Sequence, residues 1–307
     1  MATGLNATTT AGMTAEVSTY YERVFLARAM KRLIHEQGGQ KKTMPAGEGK
    51  TVNFTRYNVP TAITAALTEG ANPTAIDLSA TTVSATLAEY GNSAQIAKFL
   101  SLVSIDRNNK EKIEVFGQNM GETIDTLARE ELFSGATTQL AGGKANITAV
   151  AASDVLNASE IKKAVRTLEG NSAMRYDDGF YMGKIQPFTW YDLIGDSTWV
   201  NAKTYSDVKD LYMGEVGELF GVRFMLSNNG KTESSTTTVY TNLIHGKESF
   251  GVIDLATDAP KLYIKTPGAQ DTSNPADRFS TIAWAGTYVA KTLNPNWIIN
   301  IKSGATA

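Results

Sequence analysis

Apolar and polar residues alternate with a period of two along two stretches near the start of the chain. In residues 50–59 and 82–100, Thr, Val and aromatic side chains alternate with polar ones between Gly and Pro, which predicts the two arms of an extended β-ribbon. A two-stranded ribbon is only marginally stable alone, because it buries too little surface to offset the entropy lost on ordering. We therefore expect the ribbon to lie on its own domain or on a neighbouring molecule.

Helical periodicity appears on both sides of this ribbon. A helix is predicted from Thr14, a suitable N-cap, to about Gln37, where two glycines end it. One of its faces carries a basic stripe, made of Arg28, Lys31, Arg32 and His35. A second helix is predicted from Ile105 to about Phe133, and at ~1.5 Å per residue it would extend over roughly 45 Å. Its apolar positions follow steps of three and four residues, at Ile113, Phe116, Met120, Ile124 and Leu127.

The second half of the chain mixes short helices and strands. Asn157 and Glu160 form a capping box for a helix that ends at Gly170, and Pro187 occupies the first position of another. The Gly-rich stretch 135–152 is predicted as a loop. Strands are predicted at 180–185, 222–226, 239–244, 250–255 and 262–265, and on each side of the Asn-Pro-Asn turn at 294–296. This mixed order predicts an α+β fold.

Composition limits the function classes that the chain can serve. The 307 residues are 42% hydrophobic, enough for substantial cores, and the formal net charge is −2. The absence of cysteine excludes disulfides, thiol catalysis and thiolate metal sites. The sequence lacks both a long apolar run and the charged and apolar regions of a secretory signal. We therefore expect a cytoplasmic protein, or one that leaves the cell without the secretory route.

Charge is distributed unevenly along the chain. The first 50 residues are rich in Lys and Arg, whereas residues 58–97 contain neither and carry three acids, Glu69, Asp77 and Glu89. A basic arm thus precedes an acidic ribbon.

The motifs of catalysis and ligand binding occur only as partial matches. Gly49-Lys50-Thr51 and Gly143-Lys144 imitate a phosphate loop, but the first glycine that the motif requires is missing in both. Neither His35 nor His245 has a partner at metal-ligand spacing. We expect His35 to belong to the basic stripe and His245 to lie in a turn. The sequence therefore predicts no catalytic residue, no cofactor and no metal site.

The order of these parts resembles that of one family of structural proteins. A basic arm, an extended ribbon, a long helix, a mixed α/β region and a return through long strands are similar to the parts of the major capsid protein of tailed double-stranded DNA bacteriophages, which has the Hong Kong 97-type fold. Short phrases also look like those of one branch of that family: GEGKTVNFTRY (47–57), LTEG (67–70), GELFGVRFMLS (217–227) and GKESFGVI (246–253). The resemblance implies an N-terminal arm at 1–46, an E-loop β-ribbon at 47–100, a spine helix with part of the peripheral domain at 101–152, an axial domain at 153–266 and returning peripheral strands at 267–307.

The resemblance further implies a structural function rather than an enzymatic one. Many copies would assemble, as hexamers and pentamers, into an icosahedral virion shell that encloses phage DNA, built in the host bacterial cytoplasm without a membrane. A separate scaffolding protein and a portal are the implied partners, together with the packaged DNA. The ribbon has no lysine in residues 58–97, so the isopeptide cross-link that joins subunits in some shells of the family is not expected.

The same resemblance assigns contacts to the ribbon and to the arm. We expect Leu67, Glu69, Asp77 and Glu89 to contact a neighbouring subunit. The acids would meet basic residues of the neighbour's spine helix, namely Arg107, Lys110 and Lys112. Apolar burial would supply most of the energy, because exposed ion pairs contribute only ~0–1 kcal/mol each. The packaged DNA would be contacted non-specifically, through its phosphates, by Arg28, Lys31 and Arg32.

Two alternatives stay open on the sequence. An encapsulin-type compartment shares the fold but packages a cargo enzyme, and the basic arm argues mildly against it. A cytoplasmic α/β enzyme or ligand-binding protein would use Trp190, Tyr191 and Trp199 as pocket walls, although aromatic clusters more often form core.

Overall fold

The computed structural model describes residues 14–30, 32–44, 49–58, 60–70, 72–97, 109–199, 217–255, 260–265, 276 and 278–306. The helices are α1 (Thr14–Met30), α2 (Asn109–Gly135), α3 (Ala158–Gly170) and α4 (Pro187–Ile194). The strands are β1 (Gln40–Met44), β2 (Thr51–Tyr57), β3 (Ala80–Thr86), β4 (Ala88–Ala97), β5 (Thr137–Leu140), β6 (Tyr181–Ile185), β7 (Glu218–Leu219), β8 (Val222–Leu226), β9 (Thr232–Ser234), β10 (Thr238–His245), β11 (Phe250–Leu255), β12 (Lys261–Lys265), β13 (Phe279–Thr292) and β14 (Ile298–Ser303).

These strands form two sheets and a separate hairpin. Sheet I has the order β1-β11-β13-β12, and β4 also pairs with β13 over ten residues. Sheet II has the order β5-β14-β10-β6-β8-β7, and β9 pairs with β10. The hairpin consists of β2 and β3 in antiparallel register. The predicted α+β class is confirmed.

Each layer has its own apolar core. In the core between sheet I and the two helices α1 and α2, Phe25, Ile124 and Leu132 meet Phe250 and Trp284. A second core lies between α3 and sheet II and includes Ile161, Leu168, Tyr181, Ile185 and Ile299. A third, smaller core under the hairpin contains Met44, Val52, Phe54, Ala85 and Ile253. Burial of these side chains at ~25 cal/mol per Å² of apolar surface is the main stabilising term.

Two glycines allow α1 to lie directly against α2. A Cβ on Gly117 would lie 2.5 Å from the carbonyl oxygen of Phe25, and one on Gly121 would lie 2.5 Å from that of Ala29. Both pairs are spaced by four residues, about one helical turn, so the two backbones approach along matching faces. The contact fixes where the N-terminal arm crosses the long helix.

Most elements of the second half follow the sequence prediction. Strands β8 and β11 have the predicted bounds, and Pro187 begins α4. Helix α3 ends at Gly170, and its N-cap Asn157 accepts a hydrogen bond from the Glu160 amide at 3.0 Å. The two long strands predicted around residues 294–296 are β13 and β14, but β13 belongs to sheet I and β14 to sheet II. The proposed domain boundaries stay a prediction.

Three sequence predictions are wrong in extent. Helix α1 ends at Met30 rather than near Gln37, because the chain that follows bonds to a carboxylate of α2. The predicted loop at 135–152 contains β5, which pairs in parallel with β14. The second arm of the ribbon is divided at Leu87 into β3, which stays in the hairpin, and β4, which joins β13. In each case a partner distant in sequence redirects the chain.

The cap of α3 gives a direct test of its local stability. Replacing Asn157 by Ala removes the acceptor for the Glu160 amide, so we expect the free energy of unfolding to fall by about 1 kcal/mol. Urea denaturation followed by tryptophan fluorescence measures this change. The control is Ser159→Ala at an exposed position of the first turn, which should stay within about 0.5 kcal/mol of the wild type. Equal values for the two variants would contradict the capping role.

Candidate assembly interface

The base of the hairpin is anchored in the body of the subunit. The side chains of Val52 and Phe54 are buried. A Cβ on Gly251 of β11 would lie 2.5 Å from Cζ of Phe54. The Leu87 amide donates to the carbonyl of Lys50 at 2.8 Å and closes the base. This end of the ribbon therefore rests on its own chain.

The outer part of the ribbon rests on nothing within the described residues. At the end of the paired strands, the Asn58 amide donates to the carbonyl of Ser79 at 2.9 Å. Beyond this bond, the described residues of 60–79 contain no strand or helix, and every one of them is exposed. Four large apolar side chains are more than half exposed there: Ile63, Leu67, Ile76 and Leu78. We call residues 60–79 the ribbon tip.

The acidic residues predicted to make subunit contacts are also exposed. Glu69 and Asp77 lie in the ribbon tip, and Glu89 lies in β4. Among the residues that the structure describes, none of the three carboxylates forms an ion pair within the chain. The tip thus combines apolar and negative surface without a partner in the described part of its own subunit.

Three basic residues of the spine helix were predicted to contact the ribbon of a neighbouring subunit. Arg107 lies outside the described residues, Lys110 lies in the first turn of α2 without a described side chain, and Lys112 is half-buried on that helix. Their contact with a neighbouring ribbon stays a prediction.

Acidic side chains of α2 partly neutralise the positive charge of the basic arm. Nη2 of Arg28 lies 2.8 Å from Oε2 of Glu114, and Nη1 of Arg32 lies 3.6 Å from Oε1 of Glu122. Lys31 lies outside the described residues. Both guanidinium groups are still about half exposed, but their charges already face carboxylates, which weakens their attraction for phosphate. Contact between the arm and DNA stays a prediction.

A buried polar cluster, not predicted from the sequence, lies at the junction between the arm and the body. His35 was expected on the exposed basic stripe, but its side chain is 2% exposed, and Nδ1 lies 2.8 Å from Oδ2 of the fully buried Asp125. Burial lowers the pKa of His35. Burial is the largest single influence on the pKa of Asp125 and raises it, but the hydrogen bonds and charge of His35 together with the hydrogen bond from Asn229 more than offset burial, so the pKa of Asp125 is lowered. A neutral imidazole therefore donates to a carboxylate.

A buried lysine lies beside this pair. Nζ of Lys184, in β6, donates to the carbonyl oxygens of His35 at 2.7 Å and Gln37 at 2.8 Å, and lies 5.1 Å from the centroid of the Phe250 ring. Burial lowers the pKa of Lys184 to about 7, although the charges of Asp125 and Glu36 oppose the shift. An ammonium group this deeply buried is rare, and it is retained here through its contacts with main-chain oxygens.

The second histidine completes the cluster. His245 was expected in a turn, but it is the last residue of β10 and is fully buried. Its Nδ1 lies 3.0 Å from the hydroxyl of Tyr176, which donates to the carbonyl of Gly38 at 2.8 Å. Burial, with the nearby Lys184 charge, lowers the pKa of His245 well below its usual value. No pattern in the sequence indicated that these two residues lie close together.

The aromatic residues considered as pocket walls do not converge on one cavity. The rings of Trp190 and Trp199 pack edge to face with centroids 5.1 Å apart, and Trp199 belongs to the core of sheet II. Tyr191 instead lies on the surface, beside a cavity of about 530 Å³ that Asp192 and Asp196 also line. The carboxylate of Asp192 already accepts hydrogen bonds from the amide and the hydroxyl of Thr306. This geometry offers little support for the ligand-binding alternative.

Two further properties concern the described residues alone. None of the helices found there is long and apolar enough to cross a membrane. No group of three or more His, Asp or Glu side chains within the described ranges has the arrangement of a metal site.

Comparison with solved structures identifies the fold. No protein-family model and no curated protein matches this chain. Among solved structures, the chain is similar to the capsid of the cyanophage P-SCSP1u, with 15% identity, a TM-score of 0.68 and 89% of each chain covered. The capsid of Ralstonia phage GP4 is similar at 14% identity and a TM-score of 0.66, again with 89% of each chain covered.

A virus-like particle from Pyrococcus furiosus is also similar, at 9% identity and a TM-score of 0.55, with 93% of this chain and 99% of that chain covered. Its lower TM-score gives the encapsulin alternative no advantage over the phage capsids. The chain therefore has the α+β, Hong Kong 97-type capsid fold that its sequence resemblance implied.

Proposed function

We propose that the protein is the major shell subunit of a double-stranded DNA bacteriophage and assembles with copies of itself into a closed capsid. The fold shared with phage capsids supports this function, and one observation of this chain carries it: the ribbon tip exposes four large apolar side chains, of Ile63, Leu67, Ile76 and Leu78. Four large exposed apolar side chains within one exposed stretch of chain, residues 63–78, indicate a surface for association.

The shape of the ribbon favours contact with a different surface of the next subunit. Its base is buried in its own chain, whereas its tip is free, so the tip would cover a patch elsewhere on the neighbour. Such heterologous contacts close into rings and shells when the rotation between subunits allows it. Leu67 is the proposed anchor, and Glu69, Asp77 and Glu89 set the register against Arg107, Lys110 and Lys112 of the neighbour.

An aspartate at the centre of the ribbon tip tests this assignment. Leu67→Asp removes an apolar contact worth about 1.5–3 kcal/mol when buried and puts a charge in its place. Because every subunit repeats the contact, we expect the concentration needed for shell formation to rise at least about tenfold. Electron microscopy and sedimentation velocity of the purified chain measure the assembled fraction.

The matched control adds the same charge without removing an apolar side chain. Ala66→Asp lies next to Leu67 in the exposed ribbon tip and should assemble nearly as the wild type does. Equal assembly of Leu67→Asp and the wild type would contradict the role of the tip. A wild-type chain that stays a uniform monomer or dimer at every concentration, with the scaffolding protein present as well as without it, would contradict the shell function itself.

The remaining partners follow from the same proposal. A virion shell needs a scaffolding protein, a portal and packaged DNA, and the proposed place of assembly is the bacterial cytoplasm. Arg28, Lys31 and Arg32 are the proposed DNA-facing residues, although Arg28 and Arg32 also pair with acids of α2. Contact of this kind would be non-specific and would weaken as salt rises.

A further inference from the structure

The chain between α1 and β1 is held by side chains from other elements. We call residues 34–38 the junction segment. Asp125 of α2 accepts hydrogen bonds from the amides of Ile34 at 2.7 Å and His35 at 2.5 Å. Lys184 of β6 and Tyr176, in the loop before β6, donate to main-chain oxygens of the same segment. Three distant side chains therefore bind five main-chain atoms, much as a protein binds a separate peptide.

A positive-φ glycine completes this binding. Gly38 has φ of 87°, a conformation that favours glycine, and a Cβ there would lie 2.5 Å from the hydroxyl of Tyr176. The junction segment therefore fits closely against the body. Its release would remove one of the attachments of α1, which is also held by its packing on α2 and by Phe25 and Ala29 in the core with sheet I.

Both histidines of the chain belong to this cluster, and each faces charged or titratable groups on several elements. Asp125 and Arg129 of α2 and Lys184 of β6 surround His35. Lys184, His35 and the hydroxyl of Tyr176 surround His245. The charge of Glu36, in the junction segment, also acts on Lys184. At neutral pH the buried charges are balanced, but two imidazolium ions beside Lys184 and Arg129 would leave an excess of positive charge away from water.

We propose that this cluster is an acid-sensitive latch, in which protonation of His35 and His245 releases the junction segment and α1 from the body while both sheets stay folded. The chain has no other histidine, so the destabilisation in mildly acidic solution is concentrated at this place. Strand β1 lies at the edge of sheet I, where local opening costs less than in the central strands.

The direction of the pH dependence follows from the shifts. An open or unfolded segment binds protons on its histidines near pH ~6.5, whereas burial lowers the pKa of both in the closed state. The contribution of the two histidines to the stability of the latch is therefore fully present above pH ~6.5 and is lost as the pH falls below it. Lys184 acts in the same sense at higher pH: its lowered pKa of about 7 makes the closed state gain stability as the pH rises from about 7 towards 10.5.

Hydrogen exchange of the full-length chain tests the latch. We expect amides of residues 22–39, corrected for the intrinsic effect of pH, to exchange at least about tenfold faster near pH ~5 than near pH ~7.5. Amides of β10 and β14 should show no comparable change. Exchange that rises equally in both sheets, or does not rise in residues 22–39, would overturn the proposal.

A pair of neutral variants separates titration from ordinary packing. In His35→Gln/His245→Gln the side chains keep hydrogen-bonding groups but cannot take up a proton, so the difference between the two pH values should shrink to the smaller part that Lys184 contributes, even where overall stability is lower. The control is Gln37→Ala, which removes an uncharged side chain that bonds to the carbonyl of Leu33 and should keep the wild-type pH response. A double variant that keeps this response would overturn the latch, and if that variant does not fold, the wild-type measurement decides alone.

Discussion

The variant Gly121→Leu is expected to unfold with a free energy about 3 kcal/mol below that of the wild type. A Cβ at this position would lie 2.5 Å from the carbonyl oxygen and 2.9 Å from the Cα of Ala29, so backbone rather than a movable side chain blocks it. Helix α1 must then move away from α2 and expose Phe25, whose burial is worth about 1.5–3 kcal/mol. Overpacking adds about 1–3 kcal/mol, and the better helix propensity of Leu returns less than about 1 kcal/mol.

Urea denaturation followed by the fluorescence of Trp284, in the same core, measures this loss. The matched control is Gly170→Leu at the end of α3, where a Cβ would meet nothing within 4 Å. That variant should stay within about 0.5 kcal/mol of the wild type. If both variants are equally stable, the close approach of the two helices is wrong.

Replacing Asp125 by Ala is expected to lower the free energy of unfolding by about 3–5 kcal/mol. The carboxylate accepts hydrogen bonds from the amides of Ile34 and His35, from Nδ1 of His35 and from Nδ2 of Asn229 at 2.9 Å. Without it, four donors lose this acceptor, two of them buried and two half-buried, and Lys184 loses the larger of its two opposing charges. The effect is larger than that of any cap or exposed ion pair in the fold.

The conservative change Asp125→Asn separates the charge from the hydrogen bonds. Its amide oxygen can still accept from the two main-chain amides, so we expect it to lose clearly less stability than Asp125→Ala. Thermal and urea unfolding of both variants give the comparison. The exposed substitution Asp177→Ala serves as control, because Asp177 pairs with Lys247 at the surface. A loss below about 1 kcal/mol for Asp125→Ala would show that the cluster does not hold the arm.

Local signals predicted the regular elements well. The spacing of Ile113, Met120 and Ile124 identified the buried face of α2, and the cap at Asn157 identified the start of α3. Alternation identified the hairpin, and strand-like runs identified seven strands of the two sheets, whereas β1, β5, β7 and β9 were not predicted. In each case the determining contacts lie within a few residues of one another, so the pattern along the chain carries the information.

Long-range pairing was not visible in the same patterns. Nothing near Leu87 shows that the second ribbon arm leaves the hairpin for β13, and nothing in 135–152 shows that β5 will pair with β14. Composition and charge located the exposed ribbon tip and its acids, but not the surface that they meet.

The sequence by itself determined the element order, the α+β class, the amphipathic faces and the resemblance to phage capsids, because these depend on residue spacing and local conformation. Only the tertiary structure decided that His35, Asp125, Lys184 and His245 meet in one buried cluster and that α1 stops short of it. A polar residue can be buried only where distant groups supply its hydrogen bonds, and those groups come together only when helix, arm and sheet have packed.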